Sequence, residues 1–385
     1  MPAAGKALRF THIHVKNWRN FAKAGVSLER RAFLVGPNAS GKSNFLDVFR
    51  FLHDLVCIGG GFQEALRQRG GVPRLRCLAA RQQSDLVIHA RMGNVENIWT
   101  WEYELHFNQE ERQRPTIRRE RVTCDGRDLV DRPDEADRGD PERLTQTYLE
   151  QVNVNREFRA VADFFRSIRY LHVVPQLVRE PDRSAGRRDD PYGGDFLDRI
   201  ARTPENIQKA RLRRILEALR VAVPQLVELE LHRDTRGAPH LRGRYEHWRP
   251  HGAWQTEDQF SDGTLRLIGL LWAALDGAGP LLLEEPELSL HPEVVRYMPR
   301  MLAQIERRTG RQVMLSTHST VLLEDPDISL DEVLLLEPGE EGTVVRVAGE
   351  SGQIRALLEG GATLPQAVMP QTAPEQAEQL GLFGE

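Results

Sequence analysis

Gly36-Pro37-Asn38-Ala39-Ser40-Gly41-Lys42-Ser43 decides how this chain is read. It matches G-x-x-x-x-G-K-[ST] and stands between an apolar run, 32–35, and helical spacing over 43–55, the strand-to-helix setting that this spacing requires. Glycines let backbone N–H groups wrap an anion, and the helix start adds its positive dipole end. Lys42 then reaches the outer phosphates of a nucleotide and Ser43 a divalent cation, with Gly36, Pro37, Asn38, Ala39, Ser40, Gly41 and Asn44 completing the cradle.

Working outward, such a site needs carboxylates, and Leu281-Leu282-Leu283-Glu284-Glu285 is an apolar strand ending in two acids. Glu284 is expected to hold the metal, directly or through water, and Glu285 to orient or deprotonate the attacking water. Ser261 and Gly263 precede a helix and make a second anion-binding helix start. From Phe260 onward strands and helices alternate, the pattern of a largely parallel sheet. Between 85 and 130, SDLVIHARM, IWTWEYELHF and TIRRERVTC alternate at period two, as antiparallel strands do.

Further strands are expected at 10–15, 168–174, 226–231, 241–245, 313–315 and 332–336, and helices at 149–167, 203–221 with Thr203 as cap, 264–275 and 293–307. The charged stretch 131–143 reads as a solvated loop, whose Asp134-Glu135-Ala136-Asp137 tetrad lacks the strand that a helicase motif needs. His12 and His14 share one strand face without further ligand partners and read as packing residues.

Composition bounds the alternatives. At 385 residues, 40% hydrophobic and 28% charged, the chain is globular with two or three units, and its net charge of -4 excludes a globally basic nucleic-acid binder. Only five of the 52 basic residues are lysines, and Lys42 is one of them. Cys57, Cys77 and Cys124 have neither bridge nor metal-ligand spacing. The longest apolar stretch, 265–275, is about half of the ~20 residues that a span requires and contains Arg266. No membrane association and a reducing cytoplasm are expected.

Four motifs in order give the chain a resemblance to the ABC-type ATPase superfamily, in the branch containing SMC, RecF and the OLD-like stand-alone ATPases of the AAA type. They are the P-loop, Phe260-Ser261-Asp262-Gly263-Thr264 in the signature position, Glu284-Glu285-Pro286-Glu287-Leu288-Ser289-Leu290-His291-Pro292, and Ser316-Thr317-His318-Ser319. The resemblance covers the first 60 residues and about the last third before the tail.

It implies an α/β fold: a P-loop ABC-type ATPase head with a mixed, largely parallel core sheet, an antiparallel β subdomain and a compact helical lobe. The head would comprise 1–176 and 259–358, with an inserted signature-side lobe at 177–258 and a flexible C-terminal tail at 359–385. It further implies ATP hydrolysis with Mg²⁺ by an ATP-dependent homodimer. In that dimer Ser261, Asp262, Gly263 and Thr264 face the partner's nucleotide, 287–290 forms the D-loop, His318 senses the γ-phosphate and Gln176, after a strand, contacts the metal. Two departures are visible: Glu284 stands where many relatives have Asp, and Asp262 where transporters have Gly.

The stretch from Ser43 to Ser261 is too long for a transport subunit and too short for coiled-coil arms, and no acidic cluster for a Toprim nuclease follows His318. Basic clusters at Arg67, Arg69, Arg74, Arg76 and Arg81, at Arg112, Arg114, Arg118, Arg119 and Arg121, and at Lys209, Arg211, Arg213 and Arg214 fit either DNA phosphates or a solvated arginine-rich face. Gln379-Leu380-Gly381-Leu382-Phe383 resembles the Q-L-x-L-F peptide that binds the bacterial sliding clamp, which would use Gln379, Leu380, Leu382 and Phe383 on a tether from 364. Two readings stand open: a dimer acting on DNA in repair, replication-linked or genome-defence work, and a regulatory ATPase subunit controlling a separate effector, such as a nuclease, in an anti-phage system.

Overall fold

The computed structural model describes residues 7–80, 85–110, 113–180, 190–246 and 253–373. The clamp-like peptide 379–383, Arg81 and Arg112 lie outside the described residues. In chain order the strands begin with β1 (Arg9–Trp18), β2 (Phe21–Ser27), β3 (Arg31–Val35), β4 (Leu86–Gly93) and β5 (Trp101–Asn108). They continue with β6 (Thr116–Cys124), β7 (Arg127–Arg132), β8 (Arg169–Leu171), β9 (Leu226–Arg233) and β10 (Pro239–Tyr245). The last are β11 (Ala253–Thr256), β12 (Leu281–Glu284), β13 (Val313–Ser316), β14 (Val333–Glu337) and β15 (Val344–Val347).

Two compact units divide the chain. One comprises 1–169, 278–282 and 303–385; the other comprises 170–277 and 283–302. In the first, an antiparallel sheet has the order β2-β1-β4-β5-β6-β7. Its inward side chains close an aromatic core with the helix Lys42–Val56: Phe10 lies 4.8 Å from Phe49, Trp18 5.3 Å from Phe51 and Phe51 5.7 Å from Phe107. This burial anchors the helix that follows the P-loop. The core sheet has the order β15-β14-β3-β13-β12-β8, and β13 and β14 both flank β3 in parallel. The α/β class with an antiparallel β subdomain therefore matches the expectation. In the second unit, β11-β10-β9 form a small antiparallel sheet beside helices that include Glu205–Leu219 and Asp262–Leu275.

Several boundaries differ from the sequence reading for identifiable reasons. The helix expected at 149–167 is confined to a 3-10 turn, Asn155–Phe158, and a helix, Arg159–Arg166. Asn155 Nδ2 donates to the Leu149 carbonyl at 2.8 Å and holds the preceding residues in turns. Thr203 does not cap the next helix, because its hydroxyl donates back to the Arg199 carbonyl at 3.0 Å. The helix expected at 293–307 is two, Pro292–Arg296 and Met298–Thr309, consistent with the amide hydrogen missing at Pro299.

The stretch 131–143 is not merely solvated: the helix Glu135–Gly139 carries a capping box, and Arg132, buried, pairs with Glu120 at 3.0 Å and Asp137 at 2.7 Å. The tail expectation fails over its first part, since Leu364–Val368 is helical, with Ala367 and Val368 fully buried. The three cysteines are unbridged, and no helix among the described residues is long and apolar enough to cross a membrane.

Candidate nucleotide site

In the first unit the parallel pairing of Ser316 with Leu34 brings Gly36 and His318 to the same end of adjacent strands. The loop after β3 turns sharply: Ala39 and Gly41 have φ of 64° and 98°. A Cβ on Gly36 would lie 2.5 Å from Ser40 Oγ and 2.7 Å from the Leu336 carbonyl, so only glycine fits there. Lys42 Nζ donates to the Gly36 and Pro37 carbonyls at 2.9 and 3.0 Å, which curls the ammonium over the loop. Ser43 is exposed, whereas Ser40 Oγ is buried without a hydrogen-bond partner. A loop with a buried orphan hydroxyl, an inward cation and a long helix behind it has the chemistry of an anion cradle.

Residues outside the motif brace this loop. Asn20 Nδ2 donates to the Ala39 carbonyl at 3.2 Å, the Thr343 hydroxyl to the Ser40 carbonyl at 2.8 Å, and Trp18 Nε1 to the Asn44 carbonyl at 3.1 Å. Asn44 Nδ2 in turn donates to Asn20 Oδ1. After β13, the Thr317 N–H donates to the Leu34 carbonyl at 3.1 Å, and the Ser319 side chain caps the following turn through the Leu322 N–H at 3.2 Å. The half-buried His318 lies between these two tethered neighbours.

In the second unit, Leu283 is fully buried and Glu284 follows it with a side chain 16% exposed. The Tyr170 hydroxyl donates to Glu284 Oε2, and His172 Nδ1 lies 4.0 Å from the same oxygen. Glu285 and Ser289 take left-handed backbones, φ 42° and 61°, which side-chain-bearing residues adopt only at a cost.

Ser261 caps the helix Asp262–Leu275 by accepting from the Thr264 N–H at 3.1 Å. A Cβ on Gly263 would lie 2.4 Å from the Ser289 carbonyl, so the start of this helix and the turn 287–290 are packed backbone to backbone. Arg179 pins this helix start, donating to Asp262 Oδ1 at 2.6 Å and to the Phe260 carbonyl at 2.7 Å. Gln176, exposed, shares the short helix Pro175–Arg179 with it. One turn into the signature helix, burial holds the Arg266 guanidinium below its usual range against the pull of Asp262 and Glu285. Among the bracing residues, Asn20, Thr343, Tyr170, Arg179 and Arg266 carry no local sequence signal.

The basic clusters are largely paired with acids. Arg67 meets Glu64 at 2.7 Å, Arg69 is buried against Asp47 and Asp54 at 2.8 and 2.9 Å, and Arg118, Arg119 and Arg121 meet Glu110, Asp131 and Asp128 at 2.5, 3.4 and 2.7 Å. Lys209 pairs with Glu205 at 2.5 Å and Arg211 with Asp276 at 2.9 Å, while Arg74, Arg213 and Arg214 are exposed.

Comparison with known proteins agrees with this architecture. The chain is 38% identical over 58 residues to the endonuclease GajA of Bacillus cereus, an alignment covering 15% of this chain and 10% of that protein. It is 31% identical over 105 residues to the methionine import ATP-binding protein MetN of Symbiobacterium thermophilum, covering 26% of this chain and 31% of that one. It thus spans about a tenth and about a third of these relatives. Among solved structures, the Smc head domain of Pyrococcus furiosus, bound to the C-terminal domain of ScpA, superposes with a TM-score of 0.53 at 10% identity, over 92% of this chain and all of that one. A second Smc head, bound to the C-winged helix domain of ScpA, gives 0.52 at 13%, over 88% and 96%. The fold is that of an SMC-type head. A family model described as "AAA domain, putative AbiEii toxin, Type IV TA system" matches residues 31–324, and the chain belongs to that family as an ATPase of the ABC and SMC-like type.

Proposed function

We propose that this ATPase closes into a homodimer on ATP, through the surface made by Ser261 to Thr264 and the turn 287–290, and reopens on hydrolysis. The observation that carries the reading is that surface: Gly263 lies against the Ser289 carbonyl, and Ser261, Leu288 and Ser289 around it are exposed. With one signature and one P-loop per chain, the arrangement implied by the resemblance needs two chains for a complete site.

In this reading Gly36 to Asn44 cradle the phosphates, Lys42 bridges the outer two, Glu285 positions and deprotonates the attacking water, and His318 senses the γ-phosphate. The cation donors would be the Ser43 hydroxyl, the Glu284 carboxylate and the Gln176 amide oxygen, an all-oxygen set that suits Mg²⁺. Mg²⁺ supplies charge neutralisation on the phosphate oxygens when bound. The segment 177–258 would serve as the signature-side lobe of the head.

Closure then serves either DNA-directed work or control of a separate effector in genome defence. The acid-paired basic clusters favour the second, because an arginine already held by a carboxylate releases fewer counterions on meeting phosphate. ATP turnover measured with and without double- and single-stranded DNA tests this. Unchanged turnover accords with effector control, and stimulation by DNA alone reverses the preference.

A further inference from the structure

Glu284 is one methylene longer than an aspartate, so its carboxylate has an extra rotatable bond to be fixed before it can present a defined oxygen to a cation. Strand β8 and the residue after it meet that need. Tyr170 and His172 are two residues apart and so share one face of the chain, and both are directed at Oε2 of Glu284. The tyrosine donates its hydroxyl hydrogen to that oxygen. His172 Nδ1 is buried, has no hydrogen-bond partner and lies 4.0 Å away.

His172 is itself held: its ring stands edge-on to Tyr192 with centroids 6.0 Å apart, and its backbone N–H donates to the Pro191 carbonyl at 2.9 Å. An aspartate at 284, shorter by one carbon, would draw the carboxylate back from the Tyr170 hydroxyl.

We propose that Tyr170 and His172 are positioning residues for the divalent cation: a two-point clamp from β8 and the residue that follows it, which fixes Oε2 of Glu284 and thereby orients the carboxylate toward the metal. The inference rests on the reading of Glu284 as the metal-side acid. Partners that orient a ligating carboxylate typically change metal affinity by 10- to 100-fold when removed.

The test is a Mg²⁺ titration of fluorescent ATP-analogue binding in the full chain carrying Glu285→Gln, with Mn²⁺ binding followed in parallel by electron paramagnetic resonance. Tyr170→Phe keeps the ring and removes only the hydroxyl; it should raise the half-saturating Mg²⁺ concentration about 10-fold and leave metal-free nucleotide binding unchanged. His172→Gln should shift it in the same direction by less, and serves as the second variant if Tyr170→Phe does not fold.

Glu284→Asp should weaken metal binding, and adding Tyr170→Phe to it should have little further effect, because the clamp is already out of reach. If Glu284→Gln alters the Mg²⁺ dependence but Tyr170→Phe and His172→Gln do not, or lower only the melting temperature, the clamp is refuted while the metal-side acid stands. If Glu284→Gln leaves the dependence unaltered, the assignment of Glu284 itself is wrong.

Discussion

Glu285 takes a left-handed backbone, φ 42°, directly before Pro286, a position where neither its Cβ nor the following ring favours that conformation. Strain of about 1 to 3 kcal/mol at one side chain is a reason to look for function there. Glu285→Gln should keep ATP binding and reduce turnover by at least 100-fold, a loss on the scale of general-base removal. Glu285→Gly should be equally slow yet more stable by roughly 1 kcal/mol, since glycine adopts positive φ freely; turnover assays and urea denaturation check both. Lys42→Ala should abolish nucleotide binding as read by fluorescent-ATP titration. The motif residues were legible in the sequence because their spacing is local. Asn20, Thr343 and Tyr170 were not: Thr343 braces Ser40 from 303 positions away and Tyr170 reaches Glu284 across 114.

Among the elements, the start of the signature helix is decided by a single close approach. Gly263→Ala would push a Cβ to 2.4 Å from the Ser289 carbonyl, a backbone atom that cannot rotate away. The variant should bind ATP normally and fail to dimerise, as read by ATP titration and sedimentation.

The outer face of β1 gives a pH prediction. Burial and the neighbouring Lys16, His89, Lys23 and His12 push the His14 imidazole down to about 4, and His12 is lowered too. The unfolded chain, with a histidine near 6.5, therefore takes up the proton first. Stability is fully present above about pH 6.5, falls as pH drops from there toward 4 and levels off below. His14→Gln should flatten that fall in urea denaturation; an unchanged pH profile would show that His14 does not contribute.

Strand β2 escaped the sequence reading because Gly25 interrupts its pattern, yet Gly25 pairs with His14, whose ring a Cβ would meet at 2.9 Å. The Arg132, Glu120 and Asp137 network escaped because a charge run looks solvated until its partners are known.

For the whole molecule, strand–helix alternation and the P-loop were enough to reach the fold class, since β3, β12 and β13 are short apolar runs with a motif at the end. The ordered helix Leu364–Val368 was misread because glutamine- and proline-rich composition resembles a tether, although Pro365 sits at a helix start, where a proline is tolerated, and Ala367 and Val368 are buried. Family membership establishes the ATPase; how two copies use one another's signature is the central claim. Its most direct test is sedimentation of the Glu285→Gln protein with and without ATP and Mg²⁺. The account requires a dimer with nucleotide that returns to monomer when nucleotide is removed, and a Ser261→Arg version that stays monomeric throughout. The same mass with and without ATP would contradict it.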